Sequence, residues 1–288
     1  MAFNFKRYKR RRTIVNSFVY LFLGTTGVVW VMPLFYMIVH SFRLNGSAKV
    51  SDLWPNTWTF DNYIKLLTDT SQSVNFPRFF LNTLVVAIFS CVISTLVVLM
   101  VSYAFSRLRF KTRKKFINIG MVIAMFPGFM SMIAIFMLLD IMGLLKTLLA
   151  LIVCYSAGAG LGYQISKGFF DTIPRALDEA ATIDGATRNQ VFWKIILPMS
   201  KPIIVYTVLT SFIGPWCDFI FVKIVMLDEV QNYTVSVGLQ QMISVDYISE
   251  WYKPFLAGSV LVALPITLLF LKLQTYYVSG VTAGGVKG

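Results

Sequence analysis

The sequence predicts an all-α integral membrane protein with six transmembrane helices, and three observations carry that prediction. Hydrophobic residues make up 57% of the 288 and charged residues only 14%, with a mean hydropathy of +0.69; a soluble chain carries roughly 25% charge. Six charge-poor runs approach the roughly 20 residues needed to cross a hydrocarbon core. Lys and Arg gather in alternate connections between those runs. Together these exclude a soluble enzyme, a disordered chain and a secreted disulfide scaffold. Cys91, Cys154 and Cys217 each fall inside an apolar run, which fits packed thiols better than bridges or metal ligands.

Taken in order, residues 1–13 form a basic tail containing Lys6, Arg7, Lys9, Arg10, Arg11 and Arg12. The first span, 14–42, is too long for a signal-peptide core, and Trp30, Pro33 and Tyr36 stand where cleavage needs small residues. It is read as an uncleaved helix. An external loop, 43–78, holds Trp54, Trp58 and Tyr63. Further spans are read at 79–106, 116–139, 147–166, 202–226 and 254–271, with a second long external segment at 227–253 ending near Trp251 and Tyr252. Two readings stand for these aromatics: an interfacial belt, or a docking surface for an extracellular partner. His40, the only histidine, reads as an interfacial residue at the outer end of the first span.

Orientation follows from Lys and Arg. The tail, the 2–3 and 4–5 connections and Lys287 together hold eighteen of them against four acids; the opposite side holds seven against eight. Both termini are therefore expected in the cytoplasm, and the basic balance needs no nucleic acid to explain it.

The 4–5 connection, 167–201, is the most informative stretch. Asp171 or Thr172 is expected to cap a helix with Pro174 in its first turn. Ala176, Leu177, Ala180, Ala181 and Ile183 then form an apolar face, and Gly185 stops the helix. Thr187 with Gln190 reads as a capping box for a second helix ending before Pro198. A helix–glycine–helix hairpin fits a contact for a soluble partner; an amphipathic surface helix is the alternative.

No phosphate-binding loop is present, since Gly285 is followed by Val286-Lys287. Gly158, Gly160 and Gly162 lie inside a span with no strand before them, as close packing or a bend would need. Asp218 is the one candidate intramembrane acid. Sixteen residues past Pro202, it lies about 24 Å across a core of about 30 Å, beside an expected break at Gly214-Pro215. It reads either as a gating or solute-contacting group or as the partner of Lys223 or a backbone amide. A secondary carrier would show repeats and buried charges. Neither is visible, so uphill transport would need a partner that hydrolyses the nucleotide.

Glu179-Ala180-Ala181, then Gly185, Ile195 and Leu197-Pro198, in this spacing and this connection, resemble the EAA loop of ABC importer permeases. The ending 282–288 and the stretch 232–241 are similar to maltose-type oligosaccharide permeases, and the resemblance covers nearly the whole chain. It implies the ABC transmembrane type-1 (type I importer) fold over 79–277, a coupling loop at 167–201 and a cytoplasmic tail at 278–288. It implies a non-catalytic subunit that pairs with a homologous second permease, which the first span wraps. The further partners it implies are a dimer of cytoplasmic ATPases, an extracytoplasmic sugar-binding protein and an oligosaccharide, in a bacterial inner membrane. ATP and Mg would be held by the partner ATPase, with no cofactor on this chain. Glu179, Ala180, Ala181, Gly185, Ile195, Leu197 and Pro198 would contact the ATPase, and Gly284, Gly285 and Lys287 would reach it as an extended tail. Ser244, Asp246 and Tyr247 would meet the binding protein. Asn82, Tyr155, Gln164, Trp216 and Asp218 are candidates for the sugar path by residue type. Maltodextrin is the leading solute and galacto-oligosaccharide the alternative.

Overall fold

A computed structural model of the chain describes residues 2–44, 54–70, 74–125, 128–158 and 160–285. Among them the regular elements are helical, apart from an isolated bridge between Arg43 and Trp58. Four helical stretches are long and apolar enough to cross a membrane: Arg12–Ser41 in α1 (Ala2–Ser41), α3 (Phe76–Arg107), Leu148–Thr172, and Ile248–Tyr276 in α14 (Ile248–Gly285). Two bent pairs raise the number to as many as six. They are α4 (Arg113–Ala124) with α5 (Gly128–Ile141), bent by 104°, and Arg188–Met199 with α11 (Lys201–Cys217), bent by 83°.

The expected elements are there, but several boundaries differ. The basic tail is already helical from Ala2, and 40 residues make α1 about 60 Å long, twice the hydrocarbon core. The third span is two helices rather than one. The fourth divides into α6 (Leu148–Ala157) and α7 (Gly160–Thr172), and Gly158 ends α6 with its amide bonded to Cys154 O at 2.9 Å. In α11 the chain runs straight through Gly214-Pro215, because Pro215 lies in the last turn, and it leaves the helix only at Asp218.

The chain divides into two compact units. The first comprises residues 1–68 with 242–260, so the two external segments meet in it. Asn62, in α2 (Asp61–Thr68), donates through Nδ2 to Ser41 O (2.8 Å) and Arg43 O (2.9 Å). Tyr63 Oη pairs with Ser41 Oγ at 2.7 Å. Lys65 bonds Glu250 and lies 4.7 Å from the ring centre of Trp251, which is buried rather than an interfacial anchor. His40 is also buried, its ring 4.1 Å from that of Tyr36, so it belongs to the packing of this unit and not to an interface. Trp54 and Trp58 do stay exposed.

The second unit, 69–241 with 261–288, is organised around α3. Ser90, Ser94, Ser102 and Ser106 recur at four-residue multiples along its buried face. Such small side chains let apolar helices approach closely where lipid offers no competing hydrophobic drive. Ser94 meets Ser211 of α11 at 3.2 Å, and Ser102 donates to Tyr163 O of α7 at 3.1 Å. The segment 227–241 is no plain external loop. Its helix α13 (Val235–Met242) buries Val235 and Val237 beside Phe79 and Val86.

Candidate functional site

The hairpin predicted between the fourth and fifth spans is present. Because α7 continues to Thr172, neither Asp171 nor Thr172 caps the next helix. The Asp171 carboxylate accepts instead from Ser106 Oγ (2.6 Å) and Lys167 Nζ, partners that outcompete a backbone amide. α8 (Ala176–Ile183) begins at Arg175 without a side-chain cap. Gly185 follows at φ +83°, a conformation costly for any residue with a Cβ. The capping box is as expected: Thr187 N donates to Gln190 Oε1 (2.8 Å) and Gln190 N to Thr187 Oγ1 (3.3 Å). From α9 (Arg188–Gln190) the second arm widens into a π-helical stretch, Val191–Ile196, and continues through Pro198 in α10 (Leu197–Met199). It does not stop before the proline, which occupies a first-turn position.

The motif residues divide by face. Ala181 is buried against Phe170, Phe192 and Ile196, in a cluster that also holds Leu99 of α3 and Ile203 of α11. Ile195 and Leu197 pack on that cluster. Ala176, Glu179, Ala180 and Ile183 point the other way, at the i, i+3, i+4, i+7 spacing of one helical stripe, and all are exposed. Ile183, an apolar side chain with 86% of its surface exposed, was not singled out from the sequence. Its position four residues after Glu179 was the available signal. Pro198 is exposed as well.

Of the tail residues, Gly284 and Gly285 continue α14 rather than forming an extended strand, and Lys287 lies outside the described residues. Ser244, Asp246 and Tyr247 fall in the turn before α14, where Ser244 O accepts from Tyr247 N (3.1 Å) and Ile248 N (2.9 Å). Asp246 and its neighbour Val245 are exposed.

A cavity of about 470 Å³ opens among α3, α6, α7 and α11. Its polar lining is Ser94, Tyr155, Tyr206, Thr207, Thr210 and Ser211. Tyr155 is the one sugar-path candidate that lines it. Asp218 lies behind Tyr155 with both carboxylate oxygens engaged: Oδ2 accepts from Tyr155 Oη (3.0 Å), and Oδ1 accepts from Phe221 N (3.1 Å) at the start of α12 (Ile220–Met226). The backbone amide is thus its local partner, and Lys223 bonds Tyr233 Oη instead. Asn82 is used in packing, donating to Gln231 O (2.8 Å) and Tyr233 O (3.0 Å). Trp216 is buried between the rings of Phe80 and Phe212. Gln164 lines a separate recess of about 180 Å³ with Phe116 and Lys167. Tyr206, Thr210 and Ser211 were missed because they sit in a run whose hydropathy marks only a span; their shared helical face was the signal.

Residues 1–282 match the family described as binding-protein-dependent transport system inner membrane component. The chain is 36% identical over 281 residues to the galactooligosaccharides transport system permease protein GanQ of Bacillus subtilis (strain 168), covering 97% of this chain and 98% of that one. It is 36% identical over 270 residues to the maltodextrin transport system permease protein MdxG of the same organism, covering 93% and 95%. Its fold is similar to that of a bacterial ABC transporter involved in the import of the acidic polysaccharide alginate, with a TM-score of 0.77 at 21% identity over 94% of this chain and 98% of that one. The chain belongs to the family of binding-protein-dependent transport system inner membrane components.

Proposed function

We propose that this chain is a permease subunit of an ATP-driven importer that carries oligosaccharides across a bacterial cytoplasmic membrane, with both termini inside. One observation carries the reading: a hairpin packed firmly on the spans turns an exposed stripe of Glu179, Ala180 and Ile183 outward. Burying Ile183 alone would contribute about 1.5–3 kcal/mol, and the alanines permit close approach. The partner on that stripe is a cytoplasmic ATPase, which holds ATP and Mg. A second, homologous permease completes the path, and an external binding protein delivers the sugar against the turn at Ser244, Asp246 and Tyr247. The C-terminal residues through Lys287 also reach the ATPase.

Transport follows alternating access. Closure of the ATPase dimer on ATP moves the hairpin, the spans packed on it rotate as a body, and hydrolysis resets them. Within this chain the sugar path passes the cavity of Tyr155, Tyr206, Ser94 and Thr210, whose volume falls in the roughly 300–1,000 Å³ range of ligand sites. Hydroxyl groups and aromatic faces suit a neutral polyol. The solute we favour is maltodextrin, with galacto-oligosaccharide second; curated relatives named for each are equally similar to the chain.

The deciding experiment is ATPase stimulation in proteoliposomes holding this chain, its sister permease and the ATPase, across a panel of sugar-loaded binding proteins. Stimulation by maltodextrin but not galactosides, lost in Glu179→Lys with membrane insertion intact, is the expected result. Stimulation by another oligosaccharide corrects the sugar. Normal uptake by assembled Glu179→Lys would sink the docking assignment.

A further inference from the structure

Arg107, the last residue of α3, carries a charged side chain with only 5% of its surface exposed. Its Nη2 donates to Phe170 O (2.9 Å) and Ile173 O (2.8 Å), carbonyls at the end of α7 where the negative pole of a helix collects. Its Nη1 meets Asp178 Oδ2 at 3.1 Å, in the first turn of α8, where a carboxylate faces the positive pole. A single planar group thus ties together the end of a span, the end of α7 and the start of the exposed arm. Lysine, a compact point charge on a flexible stem, lacks the rigid fork that satisfies three acceptors at once.

The pair is also incomplete. Arg107 Nε and Asp178 Oδ1 are both buried without a hydrogen-bond partner. These two atoms are the ones a bidentate guanidinium–carboxylate fork would join. Leaving both unpaired in a buried place is unfavourable, and a small rotation of α8 about the Ile173–Arg175 turn would close the second bond. The contact therefore has two discrete arrangements, as an element that passes on a motion needs.

We propose that Arg107 and Asp178 form the joint through which movement of the hairpin reaches α3, held by one bond at rest and by two when the hairpin is driven. The proposal rests on the reading of the hairpin as the ATPase contact. Arg107 is a positioning residue, since it touches neither sugar nor nucleotide.

The experiment compares Arg107→Lys, Asp178→Asn and Glu179→Lys in the full assembly of both permeases, ATPase and loaded binding protein. Arg107→Lys and Asp178→Asn should copurify with the ATPase in normal stoichiometry and keep the basal ATPase rate and the KM for ATP. Their stimulation by loaded binding protein should fall about tenfold or more, as breaking a buried pair implies. A defect of folding alone would lower yield and basal rate together and leave the stimulation ratio intact. Normal stimulation in the assembled variants overturns the joint and leaves the docking reading untouched, whereas normal uptake by Glu179→Lys removes the docking reading itself. If Arg107→Lys does not assemble, Asp178→Asn decides, and failure of both to assemble assigns the pair to folding and overturns the proposal.

Discussion

The ring of Phe79 fills the space that a side chain on residue 238 would need: a Cβ built on Gly238 would lie 2.2 Å from Phe79 Cδ2 and 2.8 Å from Cε2. Phe79 is fully buried, and Thr83 one turn further along α3 accepts from Val235 N at 2.8 Å. Helix α13 is thereby seated against the start of α3. Gly238→Ala should destabilise the chain by about 1–3 kcal/mol through overpacking. Thermal unfolding in detergent reads this as a lowered Tm, and Phe79→Leu added to Gly238→Ala should recover part of the loss. An unchanged Tm in the single variant would mean the ring moves aside freely.

Trp216 separates packing from sugar binding. Its indole Nε1 is buried without a hydrogen-bond partner, so the N–H adds a desolvation cost to an otherwise apolar site. Trp216→Phe should leave uptake kinetics unchanged and hold or raise the Tm. A rise in the KM for sugar would instead place the ring on the sugar path.

Ile183 tests the outward stripe without touching a charge. Because it is already exposed, Ile183→Ala should change the stability of the chain by no more than about 0.5 kcal/mol. Its affinity for the ATPase should fall roughly tenfold, matching the transfer energy of the lost atoms. Titration of detergent-purified permease pair with ATPase measures both sides of this expectation. Unaltered affinity would place the contact on another face.

Acid stability has a readable local contribution. Lys146 bonds Asp228 Oδ1 at 2.6 Å, which holds the Asp228 carboxyl below the ordinary carboxylate range and the Lys146 ammonium above the ordinary lysine range. For Asp228 the stabilisation is present above the unfolded carboxylate value and is lost as pH falls through the lowered one. For Lys146 it is present below the ordinary lysine value and is lost as pH rises through the raised one. Asp228→Asn should therefore flatten the fall in Tm on acidification below the carboxylate range. The effect should be small and shrink in high salt, since both groups are exposed. Equal acid limbs at low salt would dismiss the pair.

The parts of this fold legible in the sequence are those decided locally. Charge-free runs mark the spans, and the Thr187–Gln190 box and Gly185 turn depend only on residues within three positions of one another. Where a distant partner decides, sequence alone misleads. Asp171 looks like a cap until Ser106, 65 residues earlier, takes one of its oxygens. Asp218 looks like a pore acid until Tyr155 and Phe221 N occupy it. The segment 235–242 looks external because its length and mixed polarity hide that its apolar side meets Phe79. The motif itself was visible, but not that Ala180 faces out and Ala181 in, since neighbouring alanines differ only in what packs on them.

The π-helical winding at Val191–Ile196 makes the length of the second arm a matter of angular phase. A wide turn accommodates one residue more than an α-helical turn over the same path. Excising one residue there would let the arm rewind as plain α-helix and swing everything after it by about 100° around the axis. Ile195 and Leu197 would then face away from the cluster that seats them, and the 83° corner into α11 would open in a different direction. Spacing between Gly185 and Pro198 is thus an azimuth setting: it fixes the compass bearing at which the hairpin delivers a push to the fifth span.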